Sequence, residues 1–105
     1  MLMRGTKRLS NAELAEAIDS MGISLACDVN DDYSNMHLVT TRDTLVESVA
    51  LMAETFFAPA FEPEEIEKER QSTLAAIRRS EDDLFSLTMQ HFYRELYPSH
   101  EYGLP

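Results

Sequence analysis

Tryptophan is absent, glycine occurs three times and cysteine once. A single Cys27 has no partner for an internal disulfide, so the chain does not depend on an oxidising compartment. Its place in an apolar alternation, away from basic groups, suits a small core residue rather than a reactive thiol. The scattered Gly5, Gly22 and Gly103 exclude a Gly-rich phosphate loop, and no serine stands in a G-x-S-x-G elbow. Cations are scarce: nine Lys and Arg face 19 Asp and Glu, for a formal charge of −10. That balance argues against nucleic acid, whose phosphates need Lys and Arg. Acidity can favour basic peptides, though a solvated, soluble surface accounts for it with less assumed. No apolar run approaches the roughly 20 residues of a membrane span, and there is no basic, apolar leader. The chain therefore reads as soluble, with no compartment assigned.

At 44% hydrophobic and 27% charged, the 105 residues fit one globular domain, 1–105. Such a chain is expected to bury roughly 65% of its unfolded surface. Ser10-Asn11-Ala12-Glu13 is a capping box that opens a helix with Leu14, Ala17, Ile18 and Met21 on its buried stripe, ended by Gly22. From Ile23 the period becomes two. Ile23, Leu25, Cys27 and Val29 form one strand face, Asn30-Asp31-Asp32 a turn, and Tyr33–Thr40 a returning strand. A helix starts at Thr41–Thr44 and stops at Pro59. Leu45, Val49, Met52 and Phe56, with Val46, Ala50, Ala53 and Phe57 beside them, predict that it is well buried. The next helix is organised around residues 61–83. Pro63 suits its first turn, Glu62, Glu64 and Glu65 crowd its positive end, and Arg78 and Arg79 its negative end. Ile66, Thr73, Leu74 and Ile77 give it a modest buried stripe. Ser80–Asp83 caps a last helix to about Tyr97, lined by Leu84, Leu87, His91 and Leu96 with Phe85, Met89 and Phe92 flanking.

The fold class is thus α/β (α+β), in the order α-β-β-α-α-α, with a small antiparallel hairpin packed by helices. A lone hairpin is marginal in water and leaves two open edges. More polypeptide or a second copy is expected to pair with them, and a homodimer through hairpin edges is one form this takes.

No catalytic constellation follows from the residues. His91 and Glu95 share a helix face, with His100 beyond, and that spacing can hold zinc; a surface His beside a Glu is the commoner arrangement. His37, inside a strand, reads as a semi-buried aromatic surrogate. The acidic run Glu62–Glu69, with Lys68 and Arg70 interleaved, reads as a solvated helix face rather than a metal or acid/base cluster.

Several short patterns nevertheless occur in a recognisable order. They are Gly5-Thr6 followed by Arg8, Ser10 and an Glu13-Leu14 helix ending in Met21-Gly22, the hairpin, and the Leu45–Phe61 helix. Glu67-Lys68-Glu69-Arg70 with Leu74 and Ile77 comes next, then Glu81-Asp82-Asp83, and finally Tyr97-Pro98, His100 and Tyr102-Gly103. Together they resemble the pitrilysin/insulinase/mitochondrial-processing-peptidase family of zinc metallopeptidases, the inverzincins, over nearly all of the chain. The resemblance implies a metallohydrolase-type α/β half, one of two homologous halves that close around an extended peptide. In that family two His and a general-base Glu come from H-x-x-E-H, normally just before a segment like residues 1–6, and a distal Glu completes the zinc site. The position matching that distal Glu is Ala76, whose methyl cannot bind zinc.

The resemblance therefore implies a fragment of the inactive domain or subunit, which shapes the peptide chamber beside a catalytic half that carries the zinc. No catalytic or metal residue is then expected in this chain. Two alternatives stand beside it. One is a shortened catalytic half whose distal ligand is Glu67 or Glu69; the other is a non-enzymatic interaction or dimerisation module.

Overall fold

The computed structural model describes residues 1–105 and contains helices α1 (Asn11–Met21), α2 (Leu45–Phe57), α3 (Pro63–Glu81) and α4 (Leu84–Leu96). Strands β1 (Ser24–Val29) and β2 (Ser34–Val39) form a two-stranded antiparallel sheet, so the element order expected from the sequence is the one observed. Short 3-10 turns precede α2 (Arg42–Thr44) and follow α4 (Glu101–Gly103). The chain divides into two compact units, Met1–Glu67 and Lys68–Pro105.

In the first unit the local signals act as their chemistry dictates. The Ser10 side chain accepts from the Glu13 N–H, and Gly22 (φ 63°) closes α1 by donating to Asp19 and Ile18 carbonyls. Asn30 Oδ1 accepts from the N–H groups of Asp32 (3.1 Å) and Tyr33 (3.0 Å), building the turn that sets the hairpin register. Leu25 lies opposite Leu38, and Cys27 opposite Met36, on one face of the sheet. That face meets a core of Leu14, Ile23 and Leu51, with Leu9, Ala17, Ile18, Met21 and Leu38 packed around it.

Burial fades along the hairpin. Leu25 is buried and Cys27 half-buried, but Val29 at the far end is 75% exposed, against the expectation of a continuously buried strand face. His37 is also a correction. It lies on the opposite face, exposed, and its Nε2 pairs with Asp28 Oδ2 at 2.7 Å across the strands.

The largest departure is α2. Its buried residues are Ser48, Leu51 and Thr55, while Val46 (82%) and Phe57 (79%) are the most exposed of its apolar residues. The hydroxyls are buried because the helix itself satisfies them: Ser48 Oγ donates to the Thr44 carbonyl (2.5 Å) and Thr55 Oγ1 to the Met52 carbonyl (2.8 Å). Thr40 Oγ1 adds bonds to Ser48 (2.9 Å) and Thr44 (3.0 Å), tying the end of β2 to the start of α2. Small side chains let the helix sit close to its neighbours, and the wide apolar face turns outward. Two substitutions check this orientation. Ser48→Leu overpacks a closed site and costs about 1–3 kcal/mol, whereas Val46→Lys changes stability by less than about 0.5 kcal/mol in urea unfolding.

Helix α3 carries Glu64 and Glu65 in its first turn and Arg78 and Arg79 in its last, as the macrodipole favours. Its expected buried stripe is not buried: Ile66, Leu74 and Ile77 are 45%, 40% and 50% exposed, and Thr73 is exposed too. In the second unit Asp83 caps α4 by accepting from the N–H groups of Phe85 and Ser86. The bonds from Ser86 hold the Asp83 carboxyl below its ordinary pKa. Along α4 only Ser86, Leu87 and Met89 are half-buried; Leu84, Phe85, His91, Phe92 and Leu96 are exposed, which corrects the lined stripe expected for this helix.

Periodicity marked which residues are apolar, but much of that apolar surface faces outward.

Candidate functional site

The best-built polar site lies in the first unit, where the N-terminal segment grips the end of α2. Gly5 takes φ 118°, and a Cβ there would come within 3.1 Å of the Asn11 nitrogen and the Leu9 carbonyl oxygen. Glycine is required twice over, by conformation and by proximity. Thr6, 3% exposed, forms an isolated bridge with Pro59, and the Lys7 N–H donates to the Ala58 carbonyl at 2.9 Å. Its hydroxyl donates to Glu54 Oε1 (2.8 Å) and accepts from the N–H groups of Leu9 (2.9 Å) and Arg8 (3.3 Å). Arg8 completes the arrangement with a two-pronged contact to Glu54, Nε to Oε1 at 3.1 Å and a terminal nitrogen to Oε2 at 2.9 Å.

Those bonds set the charge state. Hydrogen bonding from Arg8, then from Thr6, holds the Glu54 carboxyl below its ordinary value of 4.5, while Glu54 raises the Arg8 guanidinium above its own. The sign follows by linkage. A carboxyl with a depressed folded pKa contributes its full stability above the unfolded pKa, and loses it as pH falls through the folded one. Glu54→Gln is therefore expected to lower stability at pH 7 and to lessen the fall in stability below about pH 4.5, measured by urea unfolding across that range.

Beside this clamp Arg4 reaches Glu65 Oε2 at 3.1 Å, and Asn11 Nδ2 reaches the same oxygen at 3.3 Å. The Glu65 side chain is only 13% exposed, so one member of the acidic run is a tether rather than part of a solvated face. A cavity of about 310 Å³ is lined here by Arg4, Lys7, Asn11, Glu62, Glu64 and Glu65, among others. The sequence singled out Gly5-Thr6 and Arg8; it gave no sign of Glu54, which is 48 residues from Thr6. Glu54 is one of two acidic residues of α2, with Glu47, and nothing in the sequence distinguishes the two.

In the second unit Ala76 is exposed on α3. Its neighbours one turn away along the helix face are Ser72, Thr73, Arg79 and Ser80, none of them a carboxylate or imidazole. Glu69 shares that face but stands two turns away, about 10.5 Å along the axis, and Glu67 projects from the opposite side.

His91 and Glu95 are both exposed on α4. His100 is used locally: its Nδ1 accepts from the Tyr102 N–H at 3.2 Å, and its ring lies 4.5 Å from that of Tyr102. Tyr97 stacks with Tyr93 at 6.4 Å and meets Tyr102 edge-on at 5.7 Å, so the closing Tyr-Pro, His and Tyr-Gly pattern builds an aromatic cap on α4. A Cβ at Gly103 would collide with the Tyr97 carbonyl oxygen, which explains the glycine. No group of three or more His, Cys, Asp or Glu side chains is placed to hold a metal ion, so His91, Glu95 and His100 are not brought together. No helix is long and apolar enough to cross a membrane.

The positions that stand out structurally are thus the Gly5-Thr6-Arg8 clamp and the Tyr97–Gly103 cap. Each coincides with a pattern on which the sequence resemblance rests. Comparison with curated proteins finds no match. The family model described as Insulinase (Peptidase family M16) matches residues 1–105, the full length of the chain. With its signature segments placed in these local structures, the chain belongs to the insulinase family of peptidases.

Proposed function

We propose that this chain is the part of an insulinase-type peptidase that shapes the peptide chamber without cleaving the peptide, acting beside a catalytic half that holds the zinc. The observation that carries this reading is Ala76. At the position of the distal ligand a methyl replaces a carboxylate, and no residue within one turn of α3 supplies another. The residues present do not fit a zinc site. Glu69, the same-face alternative, lies too far along the helix to take the place of position 76 without a shift of two turns.

Binding without cleavage is the expected behaviour. An extended, basic, fluorescence-quenched peptide should show a saturable rise in anisotropy on adding the chain, favoured by its charge of −10. Its fluorescence should stay quenched. Chelator-sensitive release of fluorescence that tracks the purified chain would overturn the proposal and favour a catalytic half.

A further inference from the structure

The cavity of about 310 Å³ in the first unit is lined by the N-terminal segment 4–11 and by residues 60, 62, 64 and 65. That volume is at the small end of the range for small-molecule sites, so it suits a metabolite-sized occupant. Gly5 helps to keep it open: a Cβ there would press on the Leu9–Asn11 backbone, which lines the same space. The charges around it are not all used within the fold. Arg8 pairs with Glu54 and Arg4 with Glu65. Lys7 and Glu62 also line the cavity, yet neither side chain makes an ion pair or a hydrogen bond, with the other or with a third residue.

The backbone of Lys7 is fixed, because its N–H bonds the Ala58 carbonyl at 2.9 Å, so its ammonium group is tethered to the rim of the cavity. One unengaged cation and one unengaged anion on the same small cavity match a ligand that carries the opposite pair on one short frame. A singly charged molecule satisfies only one of them, and a lone exposed ion pair contributes little in water. A zwitterion engages both at once, while Leu9 and Ala60 give apolar wall for a short side chain. We propose that this cavity binds a small zwitterion of the α-amino-acid type, up to the size of a dipeptide with both termini free. Lys7 takes its carboxylate and Glu62 its ammonium group. The inference stands apart from the reading of Ala76, since the cavity uses only the first turn of α3 and requires no cleavage.

The probe is the dipeptide Ala-Ala, titrated into the chain at low ionic strength and followed by backbone amide chemical shifts. The expected result is a saturable change confined to residues 4–11 and 60–65, half complete at a concentration on the order of 1 mM. Ala-Ala-amide lacks the carboxylate and N-acetyl-Ala-Ala the ammonium group, and each should bind about five-fold more weakly. The side chains of Lys7 and Glu62 are both exposed, so Lys7→Met and Glu62→Gln leave the fold intact. Lys7→Met should weaken Ala-Ala by the same factor as amidation does, and leave Ala-Ala-amide binding unchanged. Glu62→Gln should do the same with respect to acetylation, which assigns each charge to its partner. Equal binding of the three peptides, equal effects of each variant on all of them, shifts centred on other residues, or no saturation by about 20 mM peptide overturns the proposal.

Discussion

Thr6→Val is expected to destabilise the first unit by about 3 kcal/mol, because it removes one hydroxyl that serves three partners. Valine keeps the shape of threonine, so packing at this 3% exposed position changes little and the loss is polar. The Glu54 carboxylate loses one of its donors, and the Leu9 and Arg8 N–H groups lose their acceptor. Each such group left buried without a partner costs about 1–3 kcal/mol, although the exposed Arg8 side lets water relieve part of it. Thr6→Ser retains the hydroxyl and should recover more than half of the loss. Urea unfolding of the three proteins measures this, and a Thr6→Val change below about 0.5 kcal/mol would show that the clamp does not hold the N-terminal segment.

Leu14→Ala is expected to cost about 3–4 kcal/mol, near the upper part of the range for buried leucines. Leu14 is 1% exposed, and the core it joins has only two other buried apolar members, Ile23 and Leu51. The half-buried Leu9, Ala17, Ile18, Met21 and Leu38 packed around it fill the vacated space only in part, so a cavity cost adds to the lost burial. Phe57→Ser removes a larger apolar side chain, yet should change stability by less than about 0.5 kcal/mol, because Phe57 is 79% exposed. Thermal unfolding of both variants decides the matter. A larger loss for Phe57→Ser than for Leu14→Ala would mean that α2 faces the core the other way.

That contrast also shows what could be read from the sequence. Elements whose signals are local were legible: the Ser10 cap, the Gly22 stop, the Asn30 turn, Pro63 in the first turn of α3 and the Asp83 cap each depend on neighbours within a few residues. Burial is a tertiary property, and there the pattern misled. The wide apolar stripe of α2 implied that this face meets the core, but Ser48 and Thr55 bond back to their own helix and are 0% exposed. The same limit applies to Ile66, Leu74 and Ile77, whose periodicity identifies a face fit for burial without saying against what. His37 was misread because strand parity did not reveal that Asp28 would meet it from across the hairpin.

For the candidate site, the N-terminal clamp was half legible. Gly5-Thr6 and Arg8 were visible as a pattern, but pairing Thr6 and Arg8 with Glu54 requires knowing that α2 returns to the N-terminal segment. Ala76 comes from the resemblance alone, which places it where the family's distal ligand would stand. The structure adds that its one-turn neighbours offer no substitute ligand.

Whether the chain itself holds zinc is decided by elemental analysis of the purified protein after equilibration with trace zinc and exhaustive dialysis, with a chelator-treated control. The expected content is far below one atom per chain and indistinguishable from the control. One zinc atom per chain, retained through dialysis and released by the chelator, would contradict it and show that residues other than position 76 complete a metal site.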